Sequence, residues 1–327
     1  MSKVSVIVAV YNGAQYIPGC LEYLDAQTHR DLDIMFVVDA KTTDGSVDLL
    51  RELSKDDDRV RIIIQNDTKR QAGARNIGLD NAVGEYVWVC DVDDRPYPTL
   101  IEDSIRASEE NDAEVVSFNS VFTRNIDHPE PACKDPNAVV LYSGIDAAIA
   151  LGNGELSPST WSDVYRMDFL RENSMEYSEG LCEDLDFAAR AFLSAERVAY
   201  LKRPLYVYYQ NAASVCGTGA NDDGIAAADV HYAEKLSAIV RERYPERYPE
   251  FCAAMGRHVI RSLTRASRTR FDELSGSPII AEMLSHCKGL SPEVILFKVS
   301  PGLFHRIGSK ARGRKFSQDP LYFRDDF

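Results

Sequence analysis

Three carboxylates, Asp91, Asp93 and Asp94, stand within four residues at the end of the apolar run Tyr86-Val87-Trp88-Val89-Cys90. Carboxylates crowded in this way repel one another unless a cation sits among them, and oxygen donors suit a hard divalent metal. A turn followed by a helix cap would use the same residues, because Asp and Pro favour both and Arg95-Pro96 comes next. Another acid, Asp39, ends a second apolar run, Asp33-Ile34-Met35-Phe36-Val37-Val38. Glu183, Asp184 and Asp186 cluster where a helix should begin, a place where the helix dipole favours negative charge.

Ligands collect at the carboxyl ends of strands in open α/β sheets, so the elements ahead of these acids matter. Val4-Ser5-Val6-Ile7-Val8-Ala9-Val10 is nearly all apolar, as befits a central parallel strand covered on both faces. Ile17, Cys20, Leu21 and Leu24 then recur at helical spacing. The run ending at Asp39 is the next strand, and Thr43-Asp44-Gly45-Ser46 turns and caps a helix carrying Val47, Leu49, Leu50 and Leu53. Residues 59–64 read as a third strand and 72–82 as a helix that Gly84 stops. This alternation predicts an α/β fold with a doubly wound, mainly parallel, right-handed sheet flanked by helices.

Further along, the pattern gives a helix at 97–111, a strand at 113–119, a polar surface loop at 125–137 and a helix at 144–151. Two aromatic strands follow at 197–201 and 204–209, then a Gly- and Asn-rich loop at 211–223. From 225 to 286 the periodicity is helical without repeats, which reads as an α-helical C-terminal appendage.

The net charge of -14 over 327 residues argues against a nucleic-acid partner, which needs a basic face. Seven scattered cysteines, Cys20, Cys90, Cys133, Cys182, Cys216, Cys252 and Cys287, form no zinc-type spacing and fit reduced thiols in a cytosol. With no leader-like start and no apolar run long enough to cross a bilayer, a cytoplasmic protein is expected. The last segment departs from the acidic trend: Lys298, Arg306, Lys310, Arg312, Arg314 and Lys315 flank Ile295, Leu296, Phe297, Leu303, Phe304 and Ile307. Such a mixture suits either peripheral contact with the inner face of an anionic membrane or a basic tail packed on the appendage.

Taken in order, the motifs resemble the family 2 glycosyltransferases of the GT-A fold. The resemblance rests on Val4 to Asn12, Val37-Val38-Asp39 with Thr43-Asp44-Gly45-Ser46, Ala74-Arg75-Asn76-Ile77-Gly78, Gly84-Glu85-Tyr86 and Asp91-Val92-Asp93-Asp94. It continues through Trp161, Tyr165-Arg166, Glu183-Asp184-Leu185-Asp186-Phe187 and Pro204-Leu205-Tyr206-Val207-Tyr208, to about residue 215. It implies a GT-A domain over 1–222, with a nucleotide-sugar half at about 1–96 and an acceptor half at about 97–222. The helical region with its basic tail, 223–327, lies outside it.

The same resemblance implies an inverting enzyme that moves a sugar from a nucleotide-sugar donor, a UDP-sugar, to a glycan or lipid-linked glycan acceptor. Val10, Tyr11, Asp39, Arg70, Arg75, Asp91 and Asp93 would hold the donor. Asp39 would accept from the uracil N3-H, and Arg70 or Arg75 would stack on the base or meet the diphosphate, unless either is an ordinary ion-pair partner. Asp93 would ligate Mg2+ or Mn2+, with Asp91 on ribose or ligand water, and Asp94 would support them or cap the next helix. Asp184 would be the general base, with Glu183 beside it on the acceptor side. Trp161 would be a sugar platform or a core tryptophan.

Three departures from the family pattern stand out: Ala40-Lys41 after Asp39, Thr68-Lys69-Arg70-Gln71-Ala72-Gly73 in place of a Gly-rich turn, and Ser162-Asp163 after Trp161. Ala40 and Ser162-Asp163 leave room for a rival reading, a catalytically idle scaffold that binds nucleotide-sugar or glycan in a polysaccharide assembly complex.

Overall fold

The computed structural model describes residues 2–66, 70–131, 135, 137–210, 221–287, 291–315 and 321–322. The expected loops at 125–137 and 211–223, the Thr68-Lys69 turn, and Cys133 and Cys216 fall wholly or partly outside the described residues. The first half follows its apolar pattern closely: β1 (Val4–Val10), α1 (Ile17–Asp25), β2 (Leu32–Val38), α2 (Ser46–Leu53), β3 (Val60–Ile64), α3 (Arg70–Asn81) and β4 (Tyr86–Asp91). β1 pairs in parallel with both β2 and β4, and β2 with β3. Alternate residues of β1 feed two different cores. Val4, Val6, Val8 and Val10 join α1, Trp88 and Trp161 on one face, while Ile7 joins Val87, Val89 and α3 on the other. Gly78 lets α3 lie close on that second face, since a Cβ there would come within 2.4 Å of the Ile7 side chain.

The second half is less regular. It contains β5 (Arg95–Pro96), α4 (Leu100–Asn111), β6 (Val115–Thr123), β7 (Val139–Tyr142), α5 (Gly144–Asn153), a 3-10 turn at Thr160–Ser162, β8 (Asp163–Arg166), α6 (Met167–Glu172), α7 (Glu183–Ser194) and β9 (Val198–Tyr209). β8 inserts antiparallel between β4 and β6, giving the order β3-β2-β1-β4-β8-β6-β9-β5. A parallel four-stranded sheet, β3-β2-β1-β4, is thus extended by a mixed one. The two strands expected at 197–201 and 204–209 are one 12-residue strand, β9, which runs through Pro204. Its register with β6 shifts on either side of Asn119, the residue opposite Pro204, so the lost backbone donor falls at an irregularity.

The remaining helices are α8 (Asp222–Arg243), α9 (Tyr248–Leu263), α10 (Arg268–Ser275), α11 (Pro278–Ser285), α12 (Pro292–Val299) and α13 (Pro301–Lys315), with β10 (Leu321–Tyr322) pairing β6. Leu236, Phe251, Met255 and Phe271 belong to the same apolar core as Ile7, Leu151 and Phe192. The C-terminal helices are therefore packed onto α5 and α7 as a continuation of the core under the sheet. No helix among the described residues is long and apolar enough to cross a membrane.

Candidate active site

Asp91 ends β4, and a turn closed by the Asp94 N–H donating to the Asp91 carbonyl (3.2 Å) presents Asp93 between them. The turn is held from β9. The Asp91 N–H donates to the Tyr206 hydroxyl (3.3 Å), and the Tyr209 N–H donates to Asp94 Oδ1 (2.7 Å). Asp94 is buried and fixes the turn to β9; the residue that precedes α4 as its cap is Thr99. Burial, reinforced by the charges of Asp91 and Asp93, pushes the Asp94 carboxyl well above the usual range.

Two strand spacings away, Asp39 follows β2. Its N–H donates to the Val10 carbonyl (2.9 Å) and its Oδ1 accepts from the Lys41 N–H (2.8 Å), which fixes the Ala40-Lys41 turn. The loops after β1 and β2 are tied together: the Thr43 N–H donates to Asn12 Oδ1 (2.9 Å) and the Ala14 N–H to Asp44 Oδ2 (2.9 Å). Val10 is buried, whereas Tyr11 is 62% exposed. Asp39 and Asp91 thus flank the end of β1, about 10 Å apart by the usual strand spacing.

Arg75, on α3, joins this end of the sheet to α7. Its guanidinium is buried and contacts Glu183 Oε1 (3.1 Å), Asp184 Oδ1 and Asp91 Oδ1 (3.5 Å), while lying 5.4 Å from the centre of the Tyr177 ring. Burial opposes its charge, but Asp184, Asp91 and Glu183 together outweigh burial and hold its pKa above the ordinary value. Three carboxylates share one cation, and the excess is visible. Burial pushes Asp91 up to about 6, with Arg75 opposing and Asp93 and Asp184 adding to the rise. Burial and the Asp184 charge push Glu183 up to about 7, again against Arg75. Next along α3, Asn76 clamps the chain leading into α7: its amide donates to the Tyr177 carbonyl (2.9 Å) and its Oδ1 accepts from the Tyr177 N–H (2.7 Å).

The three acids of α7 have different surroundings. Asp184 has the most open side chain of the Arg75 group, 28% exposed against 10% for Glu183, and lies 3.5 Å from the Thr160 hydroxyl, a donor. Asp186 is fully buried and takes Ser178, Arg190 and Lys235 as partners, so its charge serves the junction of α7 with α8.

Residues 5–146 match the family model described as Glycosyl transferase family 2. The chain carries a family 2 glycosyltransferase domain. It is 27% identical over 294 residues to the uncharacterized glycosyltransferase YibD of Escherichia coli K12, covering 87% of this chain and 85% of that protein. It is 30% identical over 222 residues to the putative glycosyltransferase EpsH of Bacillus subtilis 168, covering 65% and 62%. Among solved structures, S. aureus TarS 1-349 in complex with UDP-GlcNAc superposes with a TM-score of 0.58 at 18% identity, over 90% of this chain and 91% of that one. The mannosyltransferase PcManGT from Pyrobaculum calidifontis, in complex with GDP-Man and Mn2+, gives 0.58 at 16%, over 94% and 83%. The fold is GT-A, and the chain is a transferase.

In this glycosyltransferase, Asp91, Arg75, Glu183 and Asp184 come together, and Val10 meets Asp39 on the other side of β1. Arg75 and Trp161 each have partners within the fold. Arg70 is exposed at the start of α3, and Arg75, enclosed by carboxylates, is not free to stack on a base. Trp161 is 2% exposed, with its ring stacked on Tyr206 (4.6 Å between centroids) and Tyr208 (5.6 Å), which makes it the core tryptophan and not an open platform. Asp163 is also interior: it accepts from the Tyr165 hydroxyl (2.9 Å), and burial pushes it up to about 7. Thr160 and Tyr177 were not singled out by sequence. The only signal for Tyr177 is an aromatic a few residues ahead of the acid pair.

Among the described residues no cluster of three or more His, Cys, Asp or Glu side chains is set to hold a metal. Asp91 and the half-buried Asp93 nonetheless fit a cation bound by one or two carboxylates, substrate phosphate and water, the habit of Mg2+. The raised Asp91 pKa marks a place short of positive charge, which such an ion would relieve.

Proposed function

We propose that this glycosyltransferase moves a sugar, with inversion, from a UDP-sugar to a hydroxyl acceptor in cell-surface polysaccharide or glycolipid biosynthesis. The reading is carried by Arg75, whose guanidinium touches both Asp91 at the donor-end strand tip and Asp184 at the head of α7. An inverting displacement needs a leaving-group site and a proton acceptor within one sugar's reach, on opposite sides of the anomeric carbon. Asp39 serves the nucleobase and Asp91 with Asp93 the ribose and diphosphate end. A divalent ion held by Asp93 and Asp91 would stabilise charge on the departing diphosphate. Asp184 takes the acceptor proton, because it is the open member of the acid group while Asp186 is committed to Arg190 and Lys235. Glu183, drawn to Arg75 from the buried side, sets the guanidinium in place.

The uridine assignment is supported by the likeness to TarS, whose structures hold UDP and UDP-GlcNAc. The polysaccharide setting draws on a match, 38% identical over 95 residues, to a teichoic acid poly(glycerol phosphate) polymerase of Staphylococcus epidermidis; it covers 29% of this chain and 13% of that protein. Purified protein with Mn2+, a panel of UDP- and GDP-sugars and hydroxyl acceptors should release UDP. Chelation with EDTA should stop it. Asp93→Asn and Asp184→Asn should each lower the rate by about 10²- to 10⁴-fold. Wild-type turnover by Asp184→Asn would remove that residue as the base, and release of GDP alone would remove the uracil assignment at Asp39.

A further inference from the structure

The C-terminal helices carry a surface that the transfer reaction does not use. Val294, Phe297 and Phe304 bury one side of α12 and α13 in the core, and the His305 ring (2.8 Å to the Ala266 carbonyl) and Ser309 hydroxyl (2.7 Å to the Thr264 carbonyl) pin α13 against the end of α9. The opposite side is apolar and open. Ile295 and Val299 are 38% and 79% exposed at i, i+4 on α12, and Leu303 and Ile307 are 46% and 51% exposed at i, i+4 on α13. At 100° per residue, Arg306, Lys310, Leu303 and Ile307 fall within an arc of about 100° on α13.

Charge sets this surface apart from the rest of the chain. Residues 288–315 hold seven Lys and Arg against one acid, Glu293, in a protein of net charge -14. Glu293 is bound to Arg261, whereas Arg306 and Lys310, both exposed, pair with no acid among the described residues. Lys298 donates to the Leu284 carbonyl and so belongs to the fold.

We propose that the α12–α13 face is a docking surface for an anionic lipid bilayer, with Ile295, Val299, Leu303 and Ile307 entering the headgroup boundary and Arg306 and Lys310 meeting lipid phosphates. Rigidly held apolar side chains beside cations suit that boundary, and each nearby cation adds affinity that salt weakens. Lipid is favoured over an acidic protein because exposed aliphatics and cations share one face of α13, where hydrocarbon and phosphate lie at adjacent depths of a bilayer. The proposal goes beyond the transfer reaction and concerns only where it takes place.

The test is co-sedimentation of the full chain with mixed phosphatidylcholine–phosphatidylglycerol vesicles and with pure phosphatidylcholine vesicles, at low and high salt, alongside size-exclusion chromatography. Binding is expected only to the mixed vesicles and only at low salt. Arg306→Glu/Lys310→Glu should weaken it at least about tenfold, and Leu303→Ser/Ile307→Ser should weaken it without changing the salt slope. Both variants should keep the wild-type melting temperature and UDP release, so a failure here leaves the transferase reading untouched. Equal binding to both vesicle types, no binding to either, or a wild-type dimer that the Ser variant converts to monomer would overturn the proposal, the last in favour of a second copy on this face.

Discussion

On the proposed reading, the donor end and the acceptor end of the site are built by different means. Asp39 and Asp91 sit where parallel strands stop, so the sheet's backbone register places them: Val10 faces Val38 on one side of β1, and Ala9 faces Asp91 on the other. Asp184 is placed by side chains. Arg75 and Thr160 reach it directly, Asn76 fixes the chain ahead of α7, and Lys235 from α8 anchors the same helix through Asp186. A strand end tolerates change in neighbouring side chains. A carboxylate positioned through a buried guanidinium does not, so the acceptor end should be the fragile one.

The strongest test of that difference is Arg75→Met, which leaves Glu183, Asp184 and Asp91 crowded without their cation. Breaking a buried ion pair from one side costs about 3–5 kcal/mol, readable as a lower urea midpoint, while Asp39→Ala should cost far less. Equal losses for the two variants would erase the contrast.

Asp163→Asn sharpens it through pH. The folded-state pKa of Asp163 is raised to about 7 from an ordinary 3.8, so its stabilising effect is complete below about pH 4 and is lost as pH rises through 7. Wild type should therefore lose on the order of 2–4 kcal/mol over that interval that the Asn variant, which cannot ionise, retains. Parallel stability curves for the two proteins would show that the carboxyl is not held neutral by the interior.

A smaller effect is expected for Asp186→Asn, about 1–2 kcal/mol, since its partner Lys235 is 38% exposed and solvent screens the pair. Melting temperature should fall while UDP release by the folded fraction stays near wild type. A loss of rate as large as that of Asp184→Asn would mean that the two acids cannot be separated by burial.

What could be read from the sequence follows the same division. The runs ending at Asp39 and Asp91 announced both strands and an acid at each tip, because period and composition report backbone placement directly. Arg75 was legible as a cation near the site but not as the partner of three acids, since two of them lie more than a hundred residues away. Trp161 reads alike as platform or core until Tyr206 and Tyr208 are seen stacked on it. Two strands, 197–201 and 204–209, were expected where there is one, β9. Only the shifted register opposite Asn119 explains how β9 passes through Pro204. The short β5 and β7 gave no periodic signal at all, being two and four residues long.

The shared guanidinium also constrains how such a protein can diversify. On the proposed roles Asp91 and Asp184 serve opposite substrates, yet both contact the same guanidinium, so a replacement at either should be felt at the other. Double-mutant effects should be non-additive, and a chimera that grafts the acceptor half of one relative onto the nucleotide half of another should work only when α3, with Arg75, travels together with the head of α7. Donor choice and acceptor choice are then inherited as a linked pair, even though they are written in widely separated stretches of the chain.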